Sequence, residues 1–529
     1  MCDSKREPNN LPHSACCPAA RHPVECERKM RPEGLNRREF MAATGLATAV
    51  GLSLPALVNA AFAEASKADH QQPIFRRLKI QPVFNCEIYQ RKPLTSWRWT
   101  GAIQNEQELR EEEQRIRRDL RQMASSADFA LEISPLITVR NVEQAAAVTK
   151  NDYDVLIMYA ARRTPKVLEA LASPEKWNLM FVRHRSGPLY YMYIGAHTHF
   201  LRKTYDEFGQ PGMDVHDIVV DDHTELLWRL RAFYGLKNIL EKRIVAVGGP
   251  GAWGAGGRGA QDRARETWKL DIVPVSYDEL GERIKKARQN KVLVKHCHNE
   301  AEKYLRQKNV VLETSKAYVY RAFVLCEVFR DLLDEARTDA ITINQCMSTI
   351  MPISETTACL PLSLLNDEGY MAFCESDFVV IPSGILLRYI SGKPVFLCNP
   401  SLPHDGILTV SHCTAPRRMN GKQLEPARIL THYESDFGAA PKVEMRKGQE
   451  VTVLNPDFAG GRWLGFAAEI IDAPFYDICR THLDVAVKCD VEQLAEEIRG
   501  FHWMLAYGDY LREVGYAVKK AGLDWLRLG

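Results

Sequence analysis

From residue 78 onward, short apolar segments alternate with amphipathic helical segments, and this alternation restricts the fold more than any other feature. Apolar runs of this length predict buried strands, and a helix between two such strands predicts that they run parallel. Predicted strands of the first unit cover residues 78–84, 128–133, 155–159 and 179–182. Predicted helices between them cover residues 106–123, 141–149 and 164–172. The pattern predicts a doubly wound parallel sheet.

A second alternating unit follows, and the sequence becomes β-rich after about residue 367. Its predicted strands are 244–247, 272–275 and 340–345, and its predicted helices are 222–240, 258–268, 277–287 and 315–333. Further β-rich runs cover 394–398, 407–411, 450–454, 464–471 and 483–487, before a last helix over 509–521. We therefore expect an α/β protein with two doubly wound Rossmann- or flavodoxin-like domains and a mostly β C-terminal domain. The predicted boundaries are 64–175, 176–366 and 367–529, after a signal region over 1–63.

The N-terminal region resembles a twin-arginine export signal. Arg37 and Arg38 precede an uncharged run over residues 41–63, which ends in the small-x-small sequence Ala61-Phe62-Ala63. A permanent membrane anchor is the alternative, but the Ala- and Gly-rich run with Pro55 favours a cleaved signal without stable membrane insertion. We expect the export machinery as a partner and a periplasmic location, or a cytoplasmic one if the signal does not function. Translation can start at Met1 or at Met30.

Charge and cysteine usage exclude two classes of function. Lys and Arg number 69 against 67 Asp and Glu, so the net charge is +2 and nucleic acid is not an expected partner. Of the 14 cysteines, four precede residue 64 and the other ten form no CxxC pair. They are interpreted as small buried hydrophobic residues, not as a disulfide framework or a zinc knuckle.

A glycine-rich loop after a predicted strand has the spacing of a dinucleotide-binding turn. Residues 249–254 read Gly-Pro-Gly-Ala-Trp-Gly between a strand and a helix. However, Pro250 and Trp253 crowd the turn, and Ser276 follows the next strand where an acidic residue would hold a ribose. The alternative is a flexible loop over another ligand.

Two carboxylates follow a short apolar strand. Glu375 and Asp377 are two residues apart, so an extended chain places both on one face. Paired carboxylates at the end of a strand suit a divalent cation. The alternative is that Asp377 caps a helix over residues 378–390.

Three segments resemble the L-fucose/L-arabinose isomerase superfamily, on the L-fucose isomerase side. They are Cys-Glu-Ser-Asp at 374–377, Ser-Gly-Lys-Pro-Val-Phe at 391–396, and Phe-His-Trp-Met-Leu-Ala-Tyr-Gly-Asp at 501–509. The predicted order of two α/β units and a β domain is similar to the three-domain plan of that family.

The resemblance implies a divalent metal, typically Mn²⁺, held by a Glu, an Asp and a closing His. Asp377 and His502 fall on matching motifs. Glu355, 22 residues before Asp377, is the counterpart of the Glu, with Gln345 and Glu368 as alternatives. His412 falls in a segment that contacts substrate in broader relatives, although a loop histidine is the alternative.

The function implied by the resemblance is metal-dependent aldose–ketose isomerisation of a sugar through an enediol. Glu355 and Asp377 would act as ligands and proton shuttles, and His502 would complete the coordination. We also expect a homo-oligomer. Since such isomerases are normally cytoplasmic and this chain carries an export signal, two other functions stay open: an exported non-catalytic sugar-binding protein of the same fold, and an NAD-dependent oxidoreductase.

Overall fold

The computed structural model describes residues 74–529 except 96, 99, 100, 204, 205 and 208. The predicted export signal over 1–63 and both candidate start methionines lie outside the described residues. Within the described part no helix is long and apolar enough to cross a membrane.

The first sheet contains six parallel strands. They are β1 (Leu78–Asn85), β2 (Leu131–Ile133), β3 (Ile137–Val139), β4 (Val155–Ala160), β5 (Trp177–Val182) and β6 (Ile218–Val220). Their order is β2-β1-β4-β5-β6, and β3 also pairs with β1 on the β2 side. The chain therefore leaves β1 toward one side and returns to β4 on the other. The boundary predicted at residue 175 falls between β4 and β5 of this sheet.

Helices cover this sheet because their apolar residues recur at helical spacing. They are α1 (Glu106–Ser126), α2 (Val142–Val148), α3 (Pro165–Leu171), α4 (Met192–Gly195) and α5 (His223–Ile239). In α1 the buried stripe includes Leu109, Ile116 and Leu120, and the Asn105 side chain caps its first turn. All six residues of β4 are buried, as expected of a central strand that packs on both faces.

The second sheet contains four parallel strands in the order β11-β10-β7-β8. They are β7 (Arg243–Val247), β8 (Asp271–Val275), β10 (Ala340–Ile343) and β11 (Met371–Phe373), while β9 (Val310–Leu312) belongs to a smaller sheet. The accompanying helices are α6 (Ala260–Trp268), α7 (Tyr277–Gln289), α8 (Lys291–Leu305), α9 (Lys316–Ala336), α10 (Met351–Ser354), α11 (Cys359–Asp367) and α12 (Ile381–Ser391). Short helical turns of other types lie at Ala196–Leu201, Val215–Asp217, Ala255–Gly257 and Cys346–Ile350.

The C-terminal part is a barrel-like antiparallel sheet. Its strands are β12 (Phe396–Pro400), β13 (Ile407–His412), β16 (Glu450–Pro456), β17 (Arg462–Asp472), β18 (Thr481–Val487) and β19 (Trp503–Tyr507). They pair in the order β16-β19-β12-β13-β18-β17, and β16 pairs again with β17, which closes the ring. β20 (Asp524–Leu528) runs parallel to β17, and β14 (Ala427–Leu430) and β15 (Ala440–Val443) form the smaller sheet with β9. Helices α13 (Val491–Glu497) and α14 (Leu511–Lys520) complete the chain.

The predicted order of parallel α/β sheets followed by antiparallel β structure is confirmed. The described residues belong to one compact unit, and the domain boundaries stay predictions.

Candidate metal centre

The site lies where the carboxyl edge of the second sheet meets the barrel. The glycine-rich loop follows β7, and residues 374–377 follow β11, which places both at the same edge of the sheet. The barrel adds His412, the last residue of β13, and His502, the residue before β19. Because the carboxyl ends of parallel strands meet at one edge, ligand sites are common in this position.

An unusual turn presents the carboxylate of Glu375. Glu375 and Ser376 have φ values of 63° and 45°, in the left-handed region that disfavours side chains. The glycine loop holds the turn in place, since the Gly251 N–H donates to the Ser376 carbonyl at 3.1 Å and the Phe378 N–H donates to the Gly251 carbonyl at 3.2 Å. Non-glycine residues in this conformation cost of order 1–3 kcal/mol each and concentrate at functional sites.

Asp377 fixes the orientation of His502. The His502 Nδ1 lies 2.7 Å from Asp377 Oδ2, and both residues are buried. The other Asp377 oxygen accepts the Val379 N–H at 3.1 Å. The helix α12 begins only at Ile381, with Val380 as its N-cap and no side-chain cap, so the alternative that Asp377 caps a helix over residues 378–390 is wrong. This contact at Nδ1 fixes the ring and turns its Nε2 atom toward Glu375.

The Nε2 atom of His502 is buried and makes no hydrogen bond with a described residue. It lies 3.3 Å from Glu375 Oε2, without the alignment of a hydrogen bond. Burial lowers the pKa of His502, but the facing carboxylates of Asp377 and Glu375 outweigh burial and raise it to about 9. Without a cation the ring therefore carries a proton on Nε2 at neutral pH, and a divalent cation bound between Nε2 and Glu375 would displace that proton.

Glu375 lies between two histidines. Its Oε1 is 3.8 Å from the Nε2 of His412, whose Nδ1 lies 2.9 Å from the Thr414 hydroxyl. Burial raises the pKa of Glu375, but His412 and His502 hold it well below its usual range, so the carboxylate is ionised. Its side chain is 35% exposed, which leaves it accessible to a ligand.

Trp253 and Phe501 form the rim of the site. Their side chains are 44% and 42% exposed, and their rings stack with centroids 4.2 Å apart. The Trp253 indole N–H donates to Glu375 Oε2. The bulky residue that interrupts the dinucleotide pattern therefore belongs to this site.

The structure brings together Asp377 and His502, and it places His412 beside them, with the two imidazole centroids 6.2 Å apart. It does not bring Glu355 to the site. Glu355 is half-exposed and forms salt bridges with Arg288 at 2.9 Å and Arg321 at 3.2 Å.

The carboxylate beside Asp377 and His502 is Glu375 instead of Glu355. Of the two alternatives, Glu368 pairs with Arg330 at 3.0 Å, and Gln345 is exposed just beyond β10. The sequence did contain a signal for Glu375, because this residue lies only two residues before Asp377. The family pattern instead favoured Glu355, which lies 22 residues before Asp377.

The donor set fits a divalent cation. Glu375, His412 and His502 offer one carboxylate and two imidazole nitrogens, a combination that binds zinc and iron as well as manganese. Cys374 is a further candidate, because its Sγ, a Glu375 oxygen and a His412 nitrogen lie within 4.8 Å of one another. These donors do not select Mn²⁺ over other divalent cations.

No protein-family model matches the chain, and no curated protein matches it. The resemblance to the L-fucose isomerase side therefore rests on residues 374–377, 391–396 and 501–509.

Proposed function

We propose that this protein is a metal-dependent aldose–ketose sugar isomerase. The supporting observation is the contact between Asp377 and His502, which are 125 residues apart in the chain. They come from two of the three segments that resemble the L-fucose isomerase side, and they meet at a partly exposed, ionised Glu375. Glu375, His412 and His502 would hold the cation, and Asp377 would orient His502.

Isomerisation transfers the C2 proton of an aldose to C1 through an enediol, while a proton moves from the O2 hydroxyl to O1. A bound divalent cation would polarise the carbonyl and hydroxyl oxygens of the sugar. The Glu375 carboxylate has two oxygens, so one can act as a ligand while the other accepts the carbon-bound proton. The ionised state and partial exposure of this group suit a base that must reach a substrate.

The aromatic rim supports a sugar as the substrate. Trp253 and Phe501 present apolar ring surface beside the polar groups of the site, a combination typical of small-molecule pockets. The C–H face of a sugar can pack on these rings and exclude water while its hydroxyl groups face Glu375.

The test is incubation with a panel of aldoses in deuterated water, with and without Mn²⁺. Isomerisation with solvent deuterium at C2 of the recovered aldose is the expected result. Glu375→Gln should abolish the exchange because it removes the base, whereas Glu355→Gln is a matched control that should retain it. Sugar binding without exchange would instead indicate the exported binding protein, and NAD reduction would indicate the oxidoreductase.

We also propose that the protein is exported to the periplasm, because its N-terminal region resembles a twin-arginine signal. The twin-arginine route carries folded proteins, so this chain would acquire its metal before it reaches the periplasm. Lysine substitution of both Arg37 and Arg38 should leave the precursor in the cytoplasm. A mature form that still appears in the periplasm would contradict this.

A further inference from the structure

A second candidate site lies at the first sheet, whereas the metal centre lies at the second sheet. The strand order of the first sheet reverses between β1 and β4, since the chain places β2 and β3 on one side of β1 and β4 on the other. In open parallel sheets, ligands bind outside the carboxyl ends of the strands where the order reverses. The residues that follow β1 and β4 are therefore the ones to examine.

Arg162 follows β4 and is a buried cation with no carboxylate partner among the residues that the structure describes. The residue is 1% exposed. Its Nε donates to the Glu87 carbonyl at 2.9 Å, and the guanidinium carbon lies 5.4 Å from the Tyr89 ring centroid. Its Nη1 and Nη2 atoms are buried and have no hydrogen-bond partner among the described residues. A guanidinium group does not lose its proton in a protein, so burial without an anion is strongly unfavourable.

Two other arginines at this edge have carboxylate partners. Arg140 follows β3 and pairs with both oxygens of Glu106, at 2.7 and 2.9 Å. Arg183 follows β5 and pairs with Glu112 at 2.5 Å. The arginines on either side of Arg162 thus have acidic partners, whereas no acid in the described part of the chain pairs with Arg162, the arginine at the reversal of strand order.

A second buried donor lies at the end of β1. Asn85 is the last residue of that strand and is paired in register with Ala160 of β4. Its Oδ1 accepts the Thr164 hydroxyl at 2.8 Å, while its Nδ2 is buried without a partner among the described residues. Both strands that flank the reversal are therefore followed by, or end in, a buried donor that has no acceptor within the described residues.

The charge of the adjacent segment also favours an anion. Between residues 86 and 103 the sequence contains Arg91, Lys92 and Arg98 but only one acidic residue, Glu87. The three basic residues are exposed, so they can attract an anion from solution.

We propose that the carboxyl edge between β1 and β4 binds the carboxylate or phosphate group of a small ligand. Arg162 Nη1 and Nη2 would hold two of its oxygens in a bidentate pair, the geometry for which a guanidinium is suited. Asn85 Nδ2 is the additional donor at this edge. Because the Arg162 nitrogens are covered, binding requires movement of the covering segment, which includes Tyr89.

The test is calorimetric titration of the full chain with inorganic phosphate and with malonate, using chloride at matched ionic strength as the control. Saturable binding of one of the two anions is expected, and it should raise the midpoint of thermal unfolding by a few degrees. Preference for malonate would identify a carboxylate ligand, and preference for phosphate a phosphorylated one. Equal responses to both anions and to chloride would overturn the proposal.

Variants locate the binding. Arg162→Gln and Arg162→Lys should each weaken anion binding at least tenfold, because neither keeps the bidentate fork. Arg140→Gln removes a paired arginine from the same edge and should change the affinity less than threefold. In the absence of anion, Arg162→Gln should unfold at the same or a higher temperature, since it removes an unpaired buried charge. Undiminished binding by Arg162→Gln, or a lower unfolding temperature without anion, would contradict the proposal.

Discussion

Replacement of Asp377 by Asn tests whether this residue positions His502 or binds the metal itself. Both Asp377 oxygens already accept hydrogen bonds, one from the Val379 N–H at 3.1 Å and one from His502 Nδ1 at 2.7 Å. An asparagine has only one acceptor oxygen, so one of the two donors would face an NH₂ group. We expect the His502 ring to lose its fixed orientation and its carboxylate partner.

The size of the effect separates the two roles. Loss of a carboxylate that orients a ligating histidine typically weakens metal affinity 10- to 100-fold, or about 1.4–2.7 kcal/mol. His502→Ala removes a nitrogen ligand and should weaken the affinity further. Both residues are buried, so solvent does not screen the contact.

The assay is calorimetric titration with Mn²⁺ in competition with a chelator, and exposed Asp405 supplies a control variant, Asp405→Asn, that should bind as wild type. An unchanged affinity in Asp377→Asn would refute the positioning argument. A loss equal to that in His502→Ala would show that Asp377 is itself a ligand, as the family resemblance implies.

Two further predictions concern stability. Burial raises the pKa of Asp367 to about 7, so its ionisation destabilises the folded state as pH rises from about 4 through 7. Asp367→Asn keeps an oxygen that can accept hydrogen bonds from the two backbone N–H groups that Asp367 now binds. In urea titrations this variant should be more stable than wild type at pH 8, by at most about 4 kcal/mol, and the difference should be smaller at pH 5. Gly438 has a φ of 73°, and a Cβ there would lie 2.4 Å from a Thr357 methyl carbon, so Gly438→Ala should destabilise by about 2–4 kcal/mol. Gly406 is the control, because its φ is 78° and an added Cβ would have no atom within 4 Å. Gly406→Ala should therefore destabilise the protein by only about 1 kcal/mol. Equal midpoints of thermal unfolding for the two alanine variants would contradict the steric argument.

Local patterns predicted the α/β part of the fold well. Apolar runs such as β4 and amphipathic helices such as α1 have periodicities that depend on neighbouring residues only. The strands that were missed are short: β3 and β6 of the first sheet, β9, β14 and β15 of the smaller sheet, and β20. Strands of three to five residues have too few alternations to be distinguished from turns, and several of them pair with segments that are distant in sequence.

The candidate site was predicted only in part. Asp377 and His502 were identified from motifs, and the structure places them in contact. Glu355 was chosen by its distance along the chain from Asp377, but its contacts are with Arg288 and Arg321 on other helices. Sequence spacing does not report the left-handed turn at Glu375, which directs that carboxylate toward the histidines.

Metal binding by two matched glutamate variants tests the candidate metal centre most directly. Wild-type protein and Glu355→Gln should each bind about one divalent cation per chain in a Mn²⁺ titration, with metal content checked by element analysis. Glu375→Gln should bind at least 100-fold more weakly, because Glu375 is the carboxylate between the Nε2 atoms of His412 and His502. The opposite result, with metal lost in Glu355→Gln and retained in Glu375→Gln, would contradict the account.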